Sequence, residues 1–335
     1  MTLDARLLRE LRAATAHLPP GELADSLGVP LPEIKAALAR FEAAGFDIEA
    51  KPGLGLRLLA SPDRLIADDL HARIGDGAPA GGNPLAREIL VFEETGSTND
   101  IAARLGREGH AGGLAVFAER QTAGRGRFGR RWESGSHTGL WFSLLLRPAF
   151  PSARWVRLTT WAGVCVAAAI ERMTGLPARL KWPNDVLVNG KKVAGILTEC
   201  STDTSRSLFT VVGIGLNVNH ESMPAELAER AASLRQFTGH PLDRPAIAAT
   251  VLRELAARLP EVEIAFEGIL AEAAHRSSIL GNWIHLQAAG SVLEGRAESL
   301  DAEGNLILRL ADGSLHAVTA GEVTSQASPP APAAK

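Results

Sequence analysis

Five arginines fall between positions 120 and 131 (120, 125, 127, 130 and 131), and no acidic residue lies among them. Gly124, Gly126 and Gly129 are threaded through the run, and Trp132 closes it. Like charge uncompensated within the segment, on a glycine-rich backbone, predicts a mobile loop. Its amides and guanidinium forks could close over a phosphate or carboxylate. A solvated basic loop is the plain alternative. The glycines also match the spacing of the dinucleotide-binding fingerprint. That motif needs a helix directly behind it and an acid about 20 residues on. Here Trp132, Glu133, Ser134 and Gly135 follow instead, and no Asp or Glu occurs from Leu140 to Arg157. No Lys-Ser/Thr pair follows the glycines either, so a Walker-type phosphate loop is excluded.

A second chemical signal is Lys181-Trp182-Pro183-Asn184-Asp185, leading into an apolar run at Val186–Val188. Proline biases the residue before it toward an extended conformation, so Lys181 projects in a fixed direction from a strand end. A lysine there is a compact cation able to neutralise a phosphate and a carboxylate together, or simply a surface charge beside a turn. Asp185 could bind a metal or cap the turn. Thr95 to Asp100 (Thr-Gly-Ser-Thr-Asn-Asp) offers hydroxyls at a helix start, and Ser97 with Asp100 has capping-box spacing. Val212 to Asn219 (Val-Gly-Ile-Gly-Leu-Asn-Val-Asn) ends a buried strand whose glycines permit close approach, with Asn217 suited to an adenine edge. These motifs contain no Ser-His-Asp set, metal cluster or carboxylate pair. A site of this kind works by positioning and charge neutralisation, which suits attack of a carboxylate on a phosphate.

Three regimes of periodicity supply the elements that hold these residues. From Leu3 to about Ala60 the pattern is helix, short helix, turn, longer helix (Leu31 to Ala44) and a hairpin over Asp47–Leu59, which reads as a winged helix-turn-helix. Residues 61–84 contain one short helix and a Gly/Pro run expected to be a linker. From Leu85 to about residue 275, strands are expected at Glu88–Phe92, Leu114–Arg120, Leu140–Leu146, Val186–Val188, Val193–Glu199 and Ser207–Ile214. Helices are expected over Asp100–Glu108, Arg154–Thr174 and Ile247–Phe266 or slightly beyond. Hairpin signals such as Asn189-Gly190 argue for a mixed-sheet α+β unit rather than strict strand-helix alternation. Trp283–Val323 alternate with period two, which predicts a small SH3-like β-barrel over 276–324, and 325–335 form a Pro/Ala-rich tail expected to be disordered.

The bulk of the 335 residues sets limits. Hydrophobic residues make up 46% and charged residues 22%, an ordinary globular balance, and the net charge of -3 makes the whole chain no obvious polyanion binder. Cys165 and Cys200 have no ligand spacing, no signal peptide opens the chain, and Thr159–Ile170 is too short to span a bilayer. A soluble cytoplasmic protein is expected.

Arg120–Trp132, the Lys181 pentapeptide and Lys192–Glu199 together resemble the bacterial biotin protein ligases. The domain order resembles the subgroup that also represses the biotin operon. The resemblance implies adenylation of biotin by ATP with Mg²⁺ and transfer to a lysine of the biotin carboxyl carrier protein of acetyl-CoA carboxylase. It also implies a homodimer, through the central sheet, when the adenylate is bound. It assigns Ser97, Thr98, Asn99, Gln121, Arg125, Gly126, Arg127 and Lys181 to biotin or its adenylate, with Arg127 retaining the intermediate and Lys181 balancing charge. Asn217, Lys192 and Trp132 are implied at the ATP end. A lipoate ligase is the related alternative.

The family loop often has arginine where Phe128 stands. Residues 1–60 carry seven Lys/Arg and eight Asp/Glu, a net of -1, unlike the basic footprint of most DNA-binding domains. Lys35, Arg40, Lys51 and Arg57 are the residues that could meet operator DNA if they share a face. The alternative is a degenerate N-terminal domain kept for stability or regulation.

Overall fold

The computed structural model describes residues 1–75, 83–201, 209–288 and 291–326. The Gly/Pro linker run at 76–82, the start of the strand expected from Ser207, and the tail beyond 326 lie outside these residues. The chain opens with α1 (Leu3–Ala13), α2 (Pro20–Leu27) and α3 (Leu31–Ala43), followed by an antiparallel hairpin of β1 (Asp47–Lys51) and β2 (Gly55–Ala60). Apolar residues at helical spacing turn inward: Leu7, Leu8 and Leu11 from α1 meet Ile34, Ala37 and Phe41 from α3. The Thr2 hydroxyl caps α1 by accepting from Ala5 N, and α2 stops at Gly28, in the left-handed region at φ +66°.

The next helix, α4 (Ala67–Ile74), fastens this unit to the rest. Its Asp69, 1% exposed, accepts from Arg12 Nε of α1 at 3.0 Å and from Arg73 Nε at 2.7 Å, while Arg73 also reaches Asp243.

The central unit runs β3 (Glu88–Thr95), α5 (Thr98–Arg107), β4 (Leu114–Gln121), β5 (Gly139–Leu146), α6 (Arg157–Thr174), β6 (Ala178–Lys181), β7 (Asp185–Val188), β8 (Lys191–Ser201) and β9 (Phe209–Asn217). Its seven strands lie in the order β3-β4-β5-β9-β8-β7-β6. β3 and β4, joined through α5, are parallel, and every other neighbouring pair is antiparallel. The sheet is mixed, as the hairpin signals require. Asn189 and Gly190 both take positive φ between β7 and β8, the turn their types favour. α6 is buried along most of its length between the sheet and a later helix over Arg244–Arg258, with Trp161 and Val164 fully enclosed.

After β9 come α7 (Leu234–Thr238), α8 (Arg244–Arg258), α9 (Glu261–Ile264) and α10 (Phe266–Arg276), then β10 (Trp283–Ala288), β11 (Ser291–Leu300), β12 (Leu306–Arg309), β13 (Leu315–Val318) and β14 (Glu322–Gln326). The last five strands form one antiparallel sheet in the order β13-β12-β11-β10-β14. Its core includes Ile284, Leu286, Leu306 and Leu308.

Several expectations are corrected. The long helix expected over Ile247–Phe266 is three pieces, because the chain breaks around Pro260 and again at Ala265, where φ and ψ are non-helical. α10 and the strand β6, which ends on Lys181, carried too little periodicity to be read. α6 starts at Arg157, after a turn of 3₁₀ helix at Ser152–Arg154.

Arg244, the first residue of α8, is fully buried. It donates to Glu119 Oε2 at 2.6 Å, to the Gly139 carbonyl at 3.0 Å and to the Asp63 carbonyl at 2.7 Å. Glu119 also accepts from Leu65 N at 2.7 Å. The pair therefore clamps the segment after the N-terminal hairpin to β4, two residues from Gln121.

Candidate functional site

The motifs read from the sequence converge on one cavity of about 480 Å³. Ser97, Thr98, Asn99, Gln121, Arg125, Gly126, Arg127, Trp132, Lys181, Asp185, Lys192 and Asn217 all line it. At one end the start of α5 meets the end of β4 in a polar chain. Gln121 Oε1 accepts from Thr98 N at 2.8 Å and lies 3.1 Å from the Thr98 hydroxyl. That hydroxyl is 2.7 Å from Ser143 Oγ, which donates to Asn99 Oδ1 at 2.5 Å. Asn99 Nδ2 donates in turn to Glu199 at 2.5 Å, and Gln121 Nε2 to Ser134 Oγ at 3.1 Å. Thr98, Asn99 and Ser143 are buried, so each bond is made in low dielectric and fixes a rotamer. Ser97 takes the N-cap position, but its side chain makes no capping bond, so the expected capping box is not formed. The hydroxyl lines the cavity instead.

The arginine loop is not the uncompensated segment that its local sequence suggests. Arg120 pairs with Glu94, Arg125 with Asp100 at 2.7 Å and Glu199 at 3.5 Å, Arg130 with Glu322, and Arg131 with Glu133 at 3.1 Å. All but Glu133 come from other elements of the fold. The pairs raise the pKa of Arg125 and Arg130, and Arg130 lowers that of Glu322. The loop also folds onto itself, with Gly126 N donating to Arg130 O at 2.7 Å and Trp132 N to Gly124 O at 2.9 Å. Arg127 has no carboxylate partner among the described residues. It donates to the Gly321 carbonyl at 3.0 Å, and burial lowers its pKa. Phe128 sits at φ +58° and is 67% exposed at the loop's tip.

The other end is built on bare backbone. The Trp132 indole lies against Gly195 and Gly215, is edge-on to Trp141 with ring centroids 6.2 Å apart, and has Lys192 Nζ 5.1 Å from its centroid. Lys192 Nζ also lies 2.6 Å from Asp185 Oδ1, so the carboxylate is ion-paired at the cavity wall. Among the described residues, no group of three His, Cys, Asp or Glu is placed to hold a metal. Asn217 Nδ2 donates to the Ala232 carbonyl at 3.2 Å, pinning the segment whose Met223, Leu227, Arg230 and Ala231 form the far wall.

Lys181 lines the cavity with no ion pair or hydrogen bond to its ammonium among the described residues. With Arg230 on the far wall, it is a cation left for a ligand's charge.

Sequence reasoning missed Ser143 and Glu199, which stand behind Asn99, and Gly321 and Glu322, which arrive at the start of β14 nearly 200 residues after the loop. Glu199 belonged to a motif already noted, but nothing local marked it as a partner for Asn99. Of the four N-terminal residues considered for DNA, all are exposed. Arg40 is bonded to Asp4 at 2.9 Å, and Lys51 lies 3.1 Å from Glu49.

Residues 91–219 match the Biotin/lipoate A/B protein ligase family, and residues 279–324 the Biotin protein ligase C terminal domain. The chain is 31% identical over 305 residues to the Bifunctional ligase/repressor BirA of Bacillus spizizenii, covering 90% of this chain and 92% of that protein. It is 35% identical to the biotin–[acetyl-CoA-carboxylase] ligase of Mycobacterium tuberculosis, across 71% of this chain and 88% of that one. Its fold matches the biotin protein ligase of Aquifex aeolicus in complex with biotin and ATP, with a TM-score of 0.63 and 33% identity over 71% of this chain and 98% of that one. With the cavity motifs lying inside the first matched segment and Gly321 and Glu322 inside the second, the chain belongs to the biotin protein ligase family.

Proposed function

We propose that the protein activates biotin with ATP as biotinyl-5'-adenylate and transfers the biotin to a lysine of a carrier protein, the biotin carboxyl carrier protein of acetyl-CoA carboxylase. The observation that carries this reading is the free Lys181 ammonium. It stands in a cavity whose polar end is set by Thr98, Asn99, Gln121 and Arg125 and whose aromatic end is set by Trp132. In the first step a biotin carboxylate oxygen forms a bond to the α-phosphorus of ATP, and the bond from that phosphorus to the bridging oxygen breaks, releasing pyrophosphate. Negative charge is concentrated where carboxylate and phosphate meet, and Lys181 and Arg127 lower the repulsion between them. In the second step the carrier lysine amine attacks the acyl carbon and AMP leaves.

Ser97 and Gly126 complete the biotin end, and Arg127 retains the adenylate. Lys192 and Asn217 serve the ATP end with Trp132. Mg²⁺ arrives with ATP. A site that offers it one carboxylate, Asp185, beside substrate phosphates fits the way this ion is commonly held.

Residues 1–60 serve as a winged helix-turn-helix, 61–84 with the short helix α4 as the connection, 85–275 as the ligase domain and 276–324, with β14 running on to Gln326, as an SH3-like barrel. We assign the protein to the cytoplasm; both cysteines are unbridged, and among the described residues no helix is long and apolar enough to cross a membrane. Homodimerisation through the central sheet is supported by β8, which pairs with β7 only as far as Gly195 and leaves Leu197–Ser201 without a strand on that side among the described residues. A biotin-responsive repressor role is the second reading, favoured by the bifunctional relatives and by the helices and hairpin of the N-terminal unit.

The test is the mass of a carrier domain after incubation with enzyme, Mg-ATP and either biotin or lipoate. A biotin adduct on one lysine is expected. A lipoyl adduct would reassign the enzyme to the lipoate branch.

A further inference from the structure

Glycine weakens a strand interior, yet β8 and β9 place Gly195, Gly213 and Gly215 in the middle of the central sheet. None of the three has a φ in the left-handed region, so backbone conformation does not demand glycine there. Space does. Gly195 and Gly215 are direct cross-strand partners, and both lie beneath Trp132. A Cβ on Gly215 would stand 2.6 Å from Trp132 Cε2 and 2.8 Å from its Nε1. One on Gly195 would stand 2.9 Å from Cζ3. Two residues from Gly215, a Cβ on Gly213 would overlap the amide oxygen of Asn99. Neither neighbour can step aside cheaply. Trp132 is braced edge-on by the fully buried Trp141, and Asn99 is bonded on both sides by Ser143 and Glu199.

We propose that these glycines form a specificity-determining floor with two separable ends. Gly213 sets the seat of Asn99 and thereby the fit of biotin, and Gly195 with Gly215 sets the seat of Trp132 and thereby the fit of ATP. This rests on the biotin–ATP reading of the cavity. The glycines touch the substrates' fit through the side chains they admit, and so act as positioning residues.

The experiment is a set of five proteins, wild type, Gly213→Ala, Gly215→Ala, Trp132→Ala and the double variant Trp132→Ala/Gly215→Ala, with Trp132→Ala as the reference for the last. Each is assayed by biotin-dependent pyrophosphate exchange with ATP and biotin varied separately, and by thermal melting. Gly215→Ala is expected to raise KM for ATP about tenfold or more while KM for biotin stays within about threefold, and Gly213→Ala to do the reverse. In the Trp132→Ala background the Gly215 substitution is expected to have no further effect on KM or melting, because the group it collides with is gone.

The inference is overturned if both alanine variants raise both KM values alike, or if the Gly215 penalty persists without Trp132. Should Gly215→Ala fail to fold, recovery of folding in the double variant supports the steric account, and failure of the double variant contradicts it. A wild-type enzyme without biotin-dependent exchange would refute the substrate reading instead. The melting comparison would still decide whether Gly215 and Trp132 are coupled.

Discussion

Arg125 and Arg130 are each tied to a carboxylate from a distant element, and Arg40 and Lys51 are tied to carboxylates within the N-terminal unit. The same chemistry has opposite consequences in the two regions. Around the cavity, the pairs hold the arginine loop in place and leave Lys181 uncommitted. In the N-terminal unit, pairing occupies two of the four cations that a DNA backbone would need, leaving the exposed Lys35 and Arg57 without an ion-pair partner among the described residues. Counting charges along the sequence cannot separate these cases, because what matters is which cations the fold leaves without an anion.

The sharpest way to break this comparison is to remove a cation of each kind. Arg244 is wholly committed to structure, and Arg244→Ala leaves the buried Glu119 carboxylate without its guanidinium, with Leu65 N and His137 as its remaining neighbours. A loss of about 3–5 kcal/mol in denaturant unfolding is expected. Lys181 is its opposite. Lys181→Ala is expected to slow adenylation by about 10²-fold or more with little change in melting temperature. Adenylation within about threefold of wild type would remove Lys181 from its role.

His220 gives a smaller effect with a defined pH window. Burial pushes its imidazole from 6.5 down to about 4, with Nε2 2.9 Å from the Thr138 hydroxyl and the ring against Trp141. The folded protein keeps the ring neutral where the unfolded chain takes up a proton. The stability this contributes is present above pH 6.5 and is lost as pH falls toward 4. His220→Gln is expected to flatten the pH dependence of melting between those values, and an unchanged slope would show that other groups set it.

The smallest effect concerns DNA. Asp4→Asn frees Arg40, and nonspecific binding to duplex DNA at low salt is expected to tighten by about two- to threefold. No change would mean that α3 does not approach the duplex.

Much of the site was legible because its chemistry is local. Thr98, Gln121, Arg125, Lys181 and Asn217 each sit in a short motif whose residue types declare a function, and glycine or proline marks where each element turns. The layer behind them was not legible. Ser143 is a single serine within an apolar strand, Glu199 ends another, and both acquire meaning only when β5, β8 and α5 are brought together. The loop's apparent excess of positive charge failed for the same reason, since Glu94, Asp100, Glu199 and Glu322 are neighbours in space only. Strand β6 and helix α10 escaped because four residues, and an amphipathic pattern cut by two breaks, give too little periodicity.

The central claim is most directly tested by exchange of labelled pyrophosphate into ATP by the purified protein with Mg²⁺, comparing biotin with lipoate as the acid. The account predicts exchange that depends on biotin and is lost in Lys181→Ala. Exchange with neither acid would contradict it, and the cavity's cations would then need another anion to explain them.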